Sequence, residues 1–490
     1  MRLRALAATF CTALAVVVAG CGGGGSDGGS SAAGAEIAPA STPLFISVNT
    51  DFEGDQIETF RTLLEKFPGS DGLLRMALAE LEQEDVDFEQ DVKPALGPEL
   101  DFVLLDLGED GEPSSSDGVA LLQPDDPAKL DELLEKDTDG TPTVKEEVEG
   151  WTVLAESQAA IDQFKQMRSA GKLAGSDAFD DAMEGLPDDA LARVYVNTDL
   201  ILKSQGTGSP LGAQAFEQVF PNGVPTVGGT VSAEEGGLRF QATGKTTQPT
   251  DTFEAALPDE LSAGALAYVG FDNLAKGVRE ALRKAGESNQ EFDQQLGQAE
   301  LGLGLSIDRD VLPLFENEGA IAVYSEANGT SIPGVSIVVE VEDEGQALAT
   351  IDKLFGRAAQ FMPDIQPPEP AKISGIEAKV VVVQGVSVLY GAFDGKLVVT
   401  NDGETLQKMV DGGESLADDQ TFSNARESAD VPGETSGILY VNLNSAFELV
   451  EAQEEQPPQV QENVEPLDSF LLYSTADDGR VTVSGFLAIE

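Results

Sequence analysis

Apolar and polar positions repeat as a recognisable word along this chain. "FISVNTDF" at 45–52, "RVYVNTDLI" at 193–201, "LAYVGFDN" at 266–273 and "ILYVNLNS" at 438–445 each run from β-branched or aromatic residues into polar ones. Short β-branched and aromatic runs read as strands, and helical spacing follows them. After the first word, Ile57, Phe60, Leu63, Leu64 and Phe67 fall on one helical face; after the third, Leu274, Val278, Ala281 and Leu282 do. Further along, Pro127 suits the first turn of a helix carrying Leu130, Leu133 and Leu134, and Leu348, Ile351, Leu354 and Phe355 form a similar stripe. The words therefore predict four strand-to-helix junctions. Asp51, Asp199, Asp272 and Asn444 are the expected helix N-caps, because short polar side chains accept hydrogen bonds from the orphan N–H groups of a first turn.

The order of these elements repeats. "FEQDVKPAL" (88–96) resembles "IDRDVLPLF" (307–315), with Asp91, Val92 and Pro94 each 219 residues before Asp310, Val311 and Pro313. "GWTVLAESQAAIDQF" (150–164) parallels "GKLVVTNDGETLQKM" (395–409), and "ARVYVNTDL" (192–200) parallels "GILYVNLNS" (437–445), both 245 residues apart. The spacing grows near 360–395, where the second copy carries extra strand-like sequence, "KVVVVQGVSVLYGAF" (379–393). Such ordered self-similarity is the mark of a duplication. It divides the chain into repeat domain 1 (41–247), a linker (248–257) and repeat domain 2 (258–490). Asp394-Gly395 and Asp478-Gly479 stand between strand-like runs and predict tight hairpins, hence antiparallel pairing. The expected fold class is α+β: two tandem homologous domains, each a curved, mostly antiparallel sheet with helices on one face.

The first residues have a different pattern. Arg2 and Arg4 precede an almost wholly small and apolar stretch, residues 5–20, too short for a confident membrane span and suited to a signal peptide (1–20). Val18-Ala19-Gly20-Cys21 resembles the lipobox of bacterial lipoproteins, which implies a diacylglyceryl group on Cys21 and an extracytoplasmic, membrane-anchored mature chain. "GGGGSDGGSSAAGA" then reads as a flexible tether, so 21–40 is expected to be a lipidated Cys and Gly/Ser spacer with an r.m.s. reach of about 24 Å.

Composition narrows the chemistry. Of the two cysteines, Cys11 is expected to leave with the signal and Cys21 to be lipidated, and there is no histidine. Disulfides, Cys nucleophiles, Ser-His-Asp triads and the usual transition-metal ligands are thereby excluded from the body. Lys+Arg total 29 against 87 Asp+Glu, a net charge of −58. That surface repels phosphate, so no nucleic-acid partner is expected, and anionic headgroups are disfavoured too.

The lipobox, the Gly/Ser tether, the acidic body and the repeated "YVN" strand ends together resemble an uncharacterised bacterial family, domain of unknown function 3352. The resemblance implies an envelope protein and brings no catalytic residues. Candidate sites are few. "DLGEDGEPSSSD" (106–117) places Asp106, Asp110 and Asp117 at calcium-loop positions, but Gly108 stands where a ligand is wanted and Asp117 where Glu is, so a solvated hairpin connection fits better. Trp151 reads as a core residue. "EAQEEQPPQVQENVEP" (451–466) reads as a mobile loop, and 206–225 occupies the same place in the first copy. With no cofactor expected and no catalytic set in evidence, the reading is a non-catalytic envelope lipoprotein that binds an apolar ligand or a basic protein partner. An acidic structural spacer, or a carboxylate-based hydrolase of envelope polymers, are the alternatives.

Overall fold

The computed structural model describes residues 32–70, 86–106, 117–136, 143–204, 225–246, 250–288, 290–327, 332–362, 364–453 and 457–490. The chain forms two compact units: Met1–Thr250 with Gln456–Asp468 and Ala476–Glu490, and Asp251–Glu455 with Ser469–Thr475. The first half carries strands β1 (Leu44–Asn49), β2 (Glu99–Leu104), β3 (Gly118–Leu122), β4 (Val144–Val148), β5 (Trp151–Ala155), β6 (Ala192–Asn197), β7 (Thr226–Glu234) and β8 (Gly237–Lys245). The second carries β9 (Ala267–Phe271), β10 (Gly319–Tyr324), β11 (Gly334–Glu340), β12 (Glu369–Ile373), β13 (Ile376–Val383), β14 (Val386–Phe393), β15 (Lys396–Thr400), β16 (Gly437–Asn442), β17 (Leu467–Asp477) and β18 (Arg480–Ile489).

In unit 1 every pairing is antiparallel, in the order β4-β5-β3-β2-β1-β6-β7-β8-β18. Unit 2 repeats it as β14-β15-β11-β10-β9-β16-β17, with β13 and then β12 added beyond β14. The added hairpin is β12 and β13, so the strand-like excess seen at 379–393 overlaps it only in β13, while β14 is the counterpart of β4. The α+β class and the antiparallel sheets stand as expected. The last strand, β18, counted by sequence with residues 258–490, pairs in unit 1 with β8, its counterpart in the repeat, from Arg480↔Lys245 to Ala488↔Gly237.

Hairpins close where a residue with positive φ precedes a glycine with positive φ. Asp394-Gly395 and Asp478-Gly479 do so as expected, joined by Glu149-Gly150, Ser374-Gly375 and Gln384-Gly385. This is the mirror-image turn that matches strand twist, and glycine takes its second left-handed position without a Cβ clash.

Helices, expected on one face, pack on both. In unit 1, Phe45, Val103, Leu121, Val153 and Tyr195 point to the side covered by Gln158–Arg168 and Asp177–Met183. Leu122 and Leu154 point the other way and meet Val92, Ala95 and Leu130. Strand side chains alternate, and here the alternate positions are apolar too, so both faces need cover. On the first face the duplication is visible ring by ring. Phe179 sits edge-on to Phe45 and Tyr195, at 6.3 and 5.4 Å, and Phe422 sits edge-on to Tyr268 and Tyr440, at 5.6 and 5.0 Å.

The segment expected to be tether as far as Ala40 is folded from Ala32. Ala35, Ile37 and Ala38 are buried in the unit 1 core, and the amides of Leu173 and Ala174 donate to the carbonyls of Ala38 and Ala35. Its counterpart in unit 2 runs from Ala256 to Ser262, with Leu416 and Ala417 donating to Leu261 and Pro258. Small side chains let this segment lie close to the sheet, and they are also what made it resemble a linker.

Candidate functional site

Across unit 2, cross-strand register sets Leu439, Val269, Ile321, Ile337 and Val399 side by side on one face. With neighbouring strands about 4.8 Å apart, the row is roughly 19 Å long and carries no polar group. One end is roofed: Tyr390 continues the row, fully buried, with Phe355 stacked on it at 5.3 Å. Its hydroxyl donates to Asp352 at 2.7 Å, and Lys379 pairs with the same carboxylate. Burial, and then Asp352, push the Tyr390 hydroxyl above its ordinary value. Towards the middle the cover fails. Val269 is 36% exposed, and Val335, two residues before Ile337 on the same face, is 37% exposed. The helix after β9, Leu274–Ser288, leaves Leu274 43% exposed and Val278 and Leu282 half-buried. A large apolar side chain on a central strand is normally buried, so this uncovered stripe is informative.

The equivalent row of unit 1 is Val194, Ile46, Phe102, Ala120 and Leu154, of which none is exposed. Unit 1 differs instead on its other face. Register places Arg193 beside Ser47 and Ser47 beside Asp101. The corresponding residues in unit 2 are Ile438, Gly270 and Ala320. Asp101 is fully buried, and neither carboxyl oxygen has a hydrogen bond of good geometry; the Ser47 hydroxyl is the one donor beside it. Burial, and then the neighbouring Glu99 carboxylate, push its carboxyl well above the usual range. Arg193 is buried and donates to the Asp188 carbonyl; desolvation lowers its value. Glu99 receives the amides of Ala33 and Gly34 at 3.1 and 3.0 Å; Glu318 of unit 2 receives those of Ala256 and Leu257 at 3.0 and 2.9 Å. The carboxylate clamp is thus common to both copies, and the buried acid beneath it is not. No sequence signal marked Asp101, since an acid in "ELDFVL" reads as the wet side of a strand.

The four words do lead into helices, beginning at Asp55, Thr198, Leu274 and Leu443. Their caps need correction. Leu200 N–H donates to the Asn197 side chain at 3.1 Å, and Ser445 N–H to Asn442 at 2.9 Å. The capping residue is therefore the last strand residue, not Asp199 or Asn444, which lie inside the first turn. Asp51 is not a cap either: Gly54 precedes the helix, and Asp51 accepts from Glu53 N–H in a local turn. Asp272 precedes Leu274 by two residues and accepts from Asn273 N–H. Trp151 is buried in the unit 1 core, as its sequence context suggested. The stretch 451–466, read as a loop, contains the helix Pro458–Val464. Of the calcium-loop positions, Asp106 and Asp117 flank the ends of β2 and β3, while Asp110 lies outside the described residues. Among the described residues no three acids gather as a metal site would require. Cys21 and the segment 206–224 also lie outside the described residues. No helix among those described is long and apolar enough to cross a membrane.

Among curated proteins none matches the chain. Solved structures of TP0453 resemble part of it. Crystal form IV covers 47% of this chain and 78% of that one at 15% identity and a TM-score of 0.25. Crystal form I covers 48% and 79% at 13% identity and 0.26. Likeness at that level carries no argument. The family model described as a protein of unknown function, DUF3352, matches residues 5–158 and 137–485, in keeping with two tandem copies. The chain belongs to that family.

Proposed function

We propose that this protein is a non-catalytic lipoprotein of the cell envelope, anchored through an acylated Cys21, that holds an apolar ligand, an acyl chain, against the uncovered face of unit 2. The observation that carries the reading is the row from Leu439 to Val399, five aliphatic side chains from five neighbouring strands with Val269, the second of them, open. An acyl chain fits the chemistry of that row, which offers dispersion contact and no hydrogen bond. Burying apolar surface there contributes about 25 cal/mol per Å². The absence of histidine and of a free cysteine in the mature body favours a binding role over catalysis. Titration of the mature protein, with Cys21→Ser, against a fluorescent long-chain fatty acid tests the reading. Saturable binding that Val269→Lys abolishes supports it; no saturable binding, or binding unchanged by that substitution, counts against it.

A further inference from the structure

We propose that residues 32–42 are a latch, held closed over a protonated Asp101 and released when that carboxyl gives its proton to solvent. The argument begins with the repeat. In the same segment of unit 2 the amide that meets the Glu318 carboxylate is that of Leu257, and the register counterpart of Asp101 is Ala320; both are fully buried and neither titrates. In unit 1 the pair is reversed in size and polarity. Gly34 stands where Leu257 does, and Asp101 where Ala320 does. The fit is close: a Cβ on Gly34 would lie 1.8 Å from Asp101 Oδ2. At the corresponding two positions of the other copy stand a leucine and an alanine.

A carboxyl is tolerated there only while neutral. An ionised one needs donors or a counter-charge, and an isolated buried charge costs far more than a neutral polar group. The surroundings offer one hydroxyl, that of Ser47, and no paired cation. On its own strand Asp101 faces Glu99, a second acid already committed to the Ala33 and Gly34 amides. From β1 it meets Ser47, and from β3 its register partner is Leu121. From β6 comes the cation Arg193, one strand beyond Ser47, which turns to the Asp188 carbonyl and has Asp188, Glu99 and Asp189 about it. From the segment itself the charged residue is Glu36, which is exposed. Once ionised, Asp101 therefore repels Glu99 and lacks water, and lifting residues 32–42 supplies the water. The bonds that must open are Ala33 and Gly34 to the Glu99 carboxylate, Leu173 and Ala174 to the carbonyls of Ala38 and Ala35, Ala40 to Gly171, and the Thr42 hydroxyl to Leu104. Release adds up to about 40 Å of extended chain ahead of β1. That this lets the body stand further from a bilayer rests on the Cys21 anchor proposed above; the latch itself does not.

The sign follows from the raised carboxyl. The closed latch favours the protonated acid and the open latch returns it to the ordinary value near 3.9. Opening therefore grows up to tenfold per pH unit from about pH 4 to the closed-state value, then levels off. Hydrogen exchange of the Ile37, Ala38, Leu173 and Ala174 amides tests this in the mature chain with Cys21→Ser. Rates are taken as a ratio to those of Asp101→Asn, which cancels the intrinsic pH dependence of exchange. The expected ratio climbs as pH rises above about 4 and then levels off. Gly34→Leu/Asp101→Ala, which installs the unit 2 pair, serves as a second reference should Asp101→Asn fold poorly. A ratio flat with pH against both references overturns the proposal.

Discussion

Gly34 lies so close over Asp101 that a Cβ at position 34 would come within 1.8 Å of Asp101 Oδ2 and force that side chain to move. In the second copy Leu257 and Ala320 share the same two places with the sizes exchanged. The two positions are thus coupled, and a substitution at one has a sign that depends on the other.

That coupling is measurable as a double-mutant cycle in denaturant unfolding. Gly34→Leu alone forces overpacking and is expected to cost about 1–3 kcal/mol. Asp101→Ala alone removes a buried, unpartnered carboxyl and leaves a small void, two effects that oppose each other. The double variant is expected to recover most of the loss, with a coupling of at least about 1 kcal/mol. Strict additivity contradicts the equivalence of the two pairs.

The same acid makes unfolding depend on pH. Its folded value is raised by burial and by Glu99, so above about pH 3.9 the unfolded chain is ionised while the folded chain keeps its proton. Stability relative to Asp101→Asn therefore falls as pH rises through this window and is constant beyond it. Parallel stability curves for the two proteins would show that Asp101 ionises freely in the folded state.

Helix capping by the last strand residue predicts an inverted mutational pattern. Asn197→Ala and Asn442→Ala each lose a side-chain acceptor and should cost about 1 kcal/mol. Asp199→Ala and Asn444→Ala should cost far less, because neither is the capping residue. Thermal unfolding of the four variants checks the order, and a larger loss at Asp199 than at Asn197 refutes the assignment.

The carboxylate clamps are expected to matter equally in both units. Glu99→Ala and Glu318→Ala each strand two amides, at a cost of about 1–3 kcal/mol. Exchange protection should fall first at Ala33–Gly34 in one variant and at Ala256–Leu257 in the other. Unchanged protection at those amides would show that the carboxylates are incidental.

Much of this architecture was legible because it rests on local chemistry repeated twice. Alternation marked β1, β6, β9 and β16, and Asp-Gly pairs marked two hairpins. Glu149-Gly150, Ser374-Gly375 and Gln384-Gly385 were missed because glycine in the second turn position suffices and the first residue need not be Asp or Asn. The caps were displaced by two residues because Asn197 and Asn442 end a strand and cap a helix at once, and the sequence offers several short polar candidates in a row. The latch was unreadable: "AAGAEIAPAST" has the composition of a spacer, and its burial depends on partners such as Leu173 and Phe164, far along the chain. Asp101 and the row through Val269 share a cause. Each is set by cross-strand register, which places residues from distant segments side by side and leaves no trace in either segment alone.

Organic extraction of the purified mature protein carrying Cys21→Ser, followed by mass spectrometry, tests the binding role most directly. The wild-type surface is expected to yield acyl lipid in a fixed ratio to protein, and Val269→Lys/Val335→Lys, at two exposed positions where stability should barely change, is expected to yield little. Extracts equally empty, or equally loaded, for the two proteins would contradict an acyl ligand on this face.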